Sequence, residues 1–148
     1  MIKPSEISPD VALSTFLTDK ISVGTKKVVV YSDWSRPTNK LPDDFIVVTI
    51  NGDVIGVGMD TPFAKGYLMV LLYCKMNDDG SVKKNRISKI LAQFEGLIEN
   101  CLTGNYHYEF DSNRFITPTT PNQSSGYSVT ALNLRWTTTS NILQKPNN

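Results

Sequence analysis

Apolar positions along this chain follow two periods, and the change from one to the other marks out the elements. Over residues 84–102, "KNRISKILAQFEGLIENCL", Ile87, Ile90, Leu91, Phe94, Leu97, Ile98 and Cys101 fall on one stripe at helical spacing. That stripe predicts an amphipathic helix with Gly104 as its stop. A shorter helix is predicted in "ISPDVALSTFLTDKI", with Ser8 as N-cap, Pro9 at the first helical position and Asp10 in the first turn. It turns Leu13, Phe16, Leu17 and Ile21 toward a core, and Gly24 ends it.

Period two governs most of the rest. "KKVVVY" (26–31) reads as a β-branched strand, and "DFIVVTINGDVIGVG" (44–58) as a hairpin in which Asn51-Gly52 supplies a type I′ turn. "YHYEFD" (106–111) and "GYSVTALNLRWTTT" (126–139) are predicted strands. The loops "SDWSRPTNKLPDD" and "SNRFITPTTPNQSS" are longer than usual connections, and residues 141–148 read as a flexible tail.

One strand breaks the alternation. In "KGYLMVLLYCKMNDDG" every residue from Tyr67 to Cys74 is apolar or aromatic, so Tyr67, Met69, Leu71 and Tyr73 share one face and Leu68, Val70, Leu72 and Cys74 the other. Such strands are usual in parallel sheets with a helix layer on each side. Here the element order is α-β-β-β-β-α-β-β with short antiparallel connections, which predicts an α+β domain over residues 1–148: a mostly antiparallel sheet with two helices packed on one face. Two helices coat only one face. Tyr67, Met69, Leu71 and Tyr73, or else the alternate set, are therefore expected to be covered partly by a second copy of the chain.

Composition narrows the function without naming it. A chain of 148 residues fits one core, burying about 70% of its unfolded surface. A formal charge of +1 exerts no strong pull on nucleic acid or membrane. The longest apolar run is about half of the ~20 residues a membrane-spanning helix needs. The N-terminal "MIKPSEISPD" lacks the regions of a signal peptide, so a soluble protein made in the cytoplasm is expected. Cys74 and Cys101 lie at apolar positions and read as small buried hydrophobes rather than a disulfide.

Candidate chemistry is sparse. His107 is the only histidine; it alternates with Glu109 and Asp111 opposite Tyr106, Tyr108 and Phe110, which makes a solvated strand face the plainer reading and a weak metal site the sharper one. "NDDG" lacks the ligand spacing of a calcium loop, and the glycines of "INGDVIGVG" lack that of a nucleotide loop. Lys26 and Lys27, and Lys83, Lys84, Arg86 and Lys89, come without an aromatic stacking platform and read as solvated faces rather than a nucleic-acid track. We expect no catalytic residues, no cofactor and no metal. Trp34 and Arg36 in one loop, and Arg114 and Phe115 in the other, are candidate partner contacts, because loop aromatics and arginines are enriched in interfaces; the equal alternative is that each pins its own loop.

The layout resembles that of phage tail-terminator and head-tail joining proteins. The resemblance runs through "SPDVALSTFL", "DFIVVTI", "GYLMVLLYCK", "RISKILAQFEGLIENCL" and "YSVTALNLRW", and rests on element order rather than a residue motif. It implies a non-enzymatic virion protein, found at the neck or tail and assembled in the host cytoplasm. Its copies would close into a ring, expected to be hexameric, that caps the tail tube and joins it to the connector. DNA would pass through the lumen without specific binding. The alternatives are another neck or short-tail ring, of as many as twelve copies around a portal, and an intracellular peptide- or ligand-binding domain.

Overall fold

The structure is a computed structural model that describes residues 8–33, 35, 37, 39–56, 64–99, 101–103, 106–111, 120–122 and 126–138. Among these, the chain forms α1 (Pro9–Leu17), β1 (Ser22–Val23), β2 (Lys26–Lys27), β3 (Val29–Ser32), β4 (Asp44–Gly56), β5 (Ala64–Lys75), α2 (Lys84–Ile98), β6 (Leu102–Thr103), β7 (Tyr106–Phe110), β8 (Thr120–Asn122) and β9 (Tyr127–Thr138). The class is α+β. A seven-stranded sheet runs β3-β4-β5-β9-β7-β6 with β8 paired to β9, and the β1–β2 hairpin forms a small separate sheet. Every pairing is antiparallel except β3 with β4.

One face of the large sheet holds the core. Ile46 and Val48 of β4, the alternate β5 residues Leu68, Val70, Leu72 and Cys74, and Leu132, Leu134 and Trp136 of β9 join one buried cluster. Helix α1 adds Ala12, Leu13 and Leu17, and α2 adds Ile87, Ile90, Phe94 and Ile98, so both helices lie over that face. Tyr108, also buried there, donates from its hydroxyl to the Pro9 carbonyl at 2.7 Å and so ties β7 to the start of α1. Across the β5–β9 ladder Gly66 faces Trp136, and a Cβ on residue 66 would sit 2.7 Å from the indole. Only glycine fits beneath that ring.

Several boundaries differ from those the sequence predicts. Helix α1 stops at Leu17, where the Thr18 N–H and hydroxyl both return to the Ser14 carbonyl, and Gly24 instead turns the β1–β2 hairpin with φ +61°. Helix α2 ends at Ile98, four residues early, because Leu102 and Thr103 pair with His107 and Tyr106. The 26–31 strand is broken at Val28, whose N–H is taken by the Ile21 carbonyl at 2.8 Å. Ser8 occupies the N-cap in extended conformation but makes no side-chain cap bond; its hydroxyl goes to the Asp10 carboxylate.

The predicted hairpin at Asn51-Gly52 does not form. Strand β4 continues through it to Gly56, and its partner is β5. The register moves from Asn51 opposite Tyr67 to Ile55 opposite Lys65, so residues 52–54 stand against residue 66 alone. Gly52 thus opens a bulge just past the paired Asn51, which bends and twists the ladder without reversing the chain.

Candidate functional site

With the helices on one side, the second face of the sheet is built from the alternate residues of β3, β4, β5 and β9, and the registers set them in rows. Val29, Phe45, Tyr73 and Val129 form the first row; Tyr31, Val47, Leu71 and Ala131 form the second. Thr49, Met69 and Asn133 follow, then Asn51, Tyr67 and Arg135, with Glu109 of β7 beyond. The face is therefore graded, from aromatic at one end through aliphatic to polar and charged at the other.

The aromatic end is tightly arranged. Phe45 stacks on Tyr73 with centroids 4.6 Å apart and planes 5° from parallel, and it meets Tyr31 and Tyr127 edge-on at 5.9 and 5.5 Å. Offset-stacked and edge-to-face pairs of this kind contribute beyond their buried area, about 0.5–1.5 kcal/mol each. The Tyr127 hydroxyl donates to the Pro42 carbonyl at 2.8 Å, which fixes the ring over the start of β4. Phe45 is 0% exposed beneath these rings although it points away from the helix layer. Tyr73, Leu71 and Met69 are half-buried, and Tyr67 is 41% exposed. At the polar end Arg135 donates to Glu109 at 2.8 Å across the β7–β9 ladder.

The structure thus brings together four of the predicted interface residues, Tyr67, Met69, Leu71 and Tyr73, on the face opposite the helices. The alternate set of β5 lies in the core. Trp34, Arg36, Arg114 and Phe115 lie outside the described residues. Sequence reasoning missed Tyr31, Phe45, Val47 and Tyr127 as members of this face. The signal was present in "DFIVVTI", where Phe45 and Val47 are apolar on the side away from Ile46 and Val48, but the supposed hairpin concealed the strand's length.

Other candidate chemistry remains apart from this face or is already engaged. His107 and Asp111 are half-buried, Glu109 is bound to Arg135, and the Asp111 N–H donates to the Asn133 carbonyl at 3.2 Å. Among the described residues no three His, Cys, Asp or Glu side chains form a metal-holding group. A cavity of about 280 Å³ lies between β2, the start of β4 and α2, lined by Lys26, Lys27, Asp43, Asp44 and Arg86. Its guanidinium is committed: Arg86 Nε and Nη2 both reach Asp44 Oδ2, at 2.6 and 2.5 Å, and that bond holds the Arg86 pKa above its usual range. No described helix is long and apolar enough to cross a membrane.

No family model and no curated protein matches this chain.

Proposed function

We propose that this protein is a virion structural protein whose copies close into a ring at the neck or tail end of a phage, capping the tail tube and joining it to the head connector. The observation that carries the reading is the graded sheet face, with Tyr67, Met69, Leu71 and Tyr73 incompletely covered on the side away from both helices. Tyr, Phe, Met and Arg, which this face combines, are enriched at protein interfaces. Val29 and Tyr67 are exposed beside half-buried Met69, Leu71 and Tyr73, and contiguous apolar surface of this kind marks interaction sites. A ring requires head-to-tail contacts, in which one patch meets a different patch on the next copy.

In this reading the protein works by fit rather than by chemistry. The ring stops growth of the tube by occupying its end and offers its other rim to the connector. A near-neutral chain, formally +1, suits a lumen through which DNA slides without being held. The test is the solution mass of the purified protein at micromolar concentration, by sedimentation, together with negative-stain images. Closed rings of defined mass are expected; a stable monomer at all concentrations overturns the reading.

A further inference from the structure

Asn51-Gly52 is the single Asn-Gly step in the chain. The Asn51 side chain stands exposed on the outer sheet face, in the row it shares with Tyr67 and Arg135. A backbone nitrogen that follows asparagine can attack the side-chain carbonyl and close a five-membered ring. The attack is intramolecular, so the access and freedom of that nitrogen set its rate. Glycine removes the Cβ that would crowd it.

The β4–β5 ladder leaves this nitrogen free. The Lys75 N–H donates to the Asp43 carbonyl at 2.8 Å, which makes residues 43 and 75 a hydrogen-bonded pair. Such pairs alternate in an antiparallel ladder, and the register runs unbroken to Asn51, so Asn51 with Tyr67 is also a hydrogen-bonded pair. The Asn51 carbonyl therefore points at β5. The peptide bond to Gly52 is trans, so the Gly52 N–H points the opposite way, toward the edge of the sheet. Strand β3 covers that edge only as far as Val48, opposite Ser32, and no described residue accepts from the Gly52 N–H. Pairing also lapses here, because the next pair after Asn51 with Tyr67 is Ile55 with Lys65. One pair has to open before the Asn51 backbone can turn toward attack. The Asp79-Gly80 step is a contrast within the same chain: the Gly80 N–H donates to the Asn77 carbonyl at 2.9 Å and the Asp79 carboxylate accepts from Ser81, so both reacting groups are engaged.

We propose that Asn51 is a site of spontaneous covalent modification, at which the folded protein converts a carboxamide to a carboxylate. The Gly52 nitrogen bonds to Asn51 Cγ, the Cγ–Nδ2 bond breaks, and the proton lost from Gly52 leaves with Nδ2 as ammonia. Water then opens the cyclic imide. Attack at Cγ gives aspartate; attack at the former backbone carbonyl gives isoaspartate, in which the chain runs through the side-chain carbon. Either product lowers the formal charge of +1 by one and sets an anion in the row of Tyr67 and Arg135. Isoaspartate also lengthens the β4 backbone at its last pair before the bulge. The polar end of the outer face thus gains charge as the molecule ages, and the proposal does not rest on the ring reading.

Peptide mapping by mass spectrometry tests it, because trypsin releases Asn51 as the one asparagine of fragment 41–65. In the folded protein, held in mildly alkaline buffer, that fragment should gain one mass unit and split into two chromatographic forms before any other asparagine-containing fragment changes. Its rate should lie within about thirtyfold of the rate in the urea-unfolded chain, since a single pair has to open. Gly52→Ala, with circular dichroism verifying the fold, should slow the folded reaction about tenfold. A folded rate more than about thirtyfold below the unfolded one shows that β4 protects Asn51 and overturns the proposal. Earlier conversion at another asparagine of the folded chain, or a folded Gly52→Ala chain reacting at the parent's rate, overturns it as well. If Gly52→Ala does not fold, the comparison of the folded and unfolded parent decides alone.

Discussion

Cys74 faces the core from β5 and Cys101 lies just past α2, both 1% exposed and both free. Burial pushes the Cys74 thiol up to about 12, with the Asp44 carboxylate beside it adding to the shift, and burial pushes Cys101 up to about 11. The thiolate is the reactive form, so the folded protein should resist iodoacetamide at pH 8 while the urea-unfolded chain takes two equivalents. The linkage has a definite sign. A folded pKa above the ordinary value of 9.0 means that the folded state holds its proton more tightly. Stability from these sites is complete below about pH 9 and is lost as pH rises through 11 and 12. Stability that rises between pH 9 and 11 would contradict this account of the thiols. Their burial was legible because each falls at an apolar position of a periodic segment. The need for glycine at 66 was not, since the indole that excludes a side chain belongs to Trp136 on another strand.

Among the elements, α2 was the most legible, because a helix that packs on a sheet announces its buried face through spacing alone. Phe94 is at the centre of that face, 1% exposed, with its ring edge-on to Phe110 at 6.1 Å. Phe94→Ala should cost about 3–5 kcal/mol in urea unfolding, from lost burial and the cavity left behind. Lys84→Glu on the exposed side should leave folding within about 0.5 kcal/mol. A loss below about 1 kcal/mol for Phe94→Ala would mean that the buried stripe is misassigned. Strand β4 was the least legible element. Asn51-Gly52 carries the local signature of a hairpin turn, but Gly52 equally opens a bulge, and the partner that decides is β5, beyond residues 57–63. Helix α1 was read too long for a related reason: Ile21 is apolar and fully buried as the spacing requires, yet it reaches the core from the segment before β1 rather than from a helix. Periodicity shows that a residue is buried, not which backbone carries it there.

For the molecule as a whole, the α+β class and the placing of both helices on one face follow from element order and from the shortage of covering layers. The candidate face follows from β5, whose two apolar sides the structure divides into Leu68, Val70, Leu72 and Cys74 within the core and Tyr67, Met69, Leu71 and Tyr73 outside it. That the outer side carries its own ordered aromatic group around Phe45 was beyond sequence reasoning, because the rings come from four strands whose order only the pairing reveals. The central claim is that this side is covered by another copy of the chain. One paired measurement tests it most directly: Leu71→Asp and Leu72→Asp, each followed by far-ultraviolet circular dichroism and sedimentation velocity. The account predicts that Leu71→Asp gives a folded subunit that no longer assembles, whereas Leu72→Asp, with its charge in the core, fails to fold. If Leu71→Asp also fails to fold, or folds and still assembles like the parent, the outer sheet face is not the surface that joins the subunits.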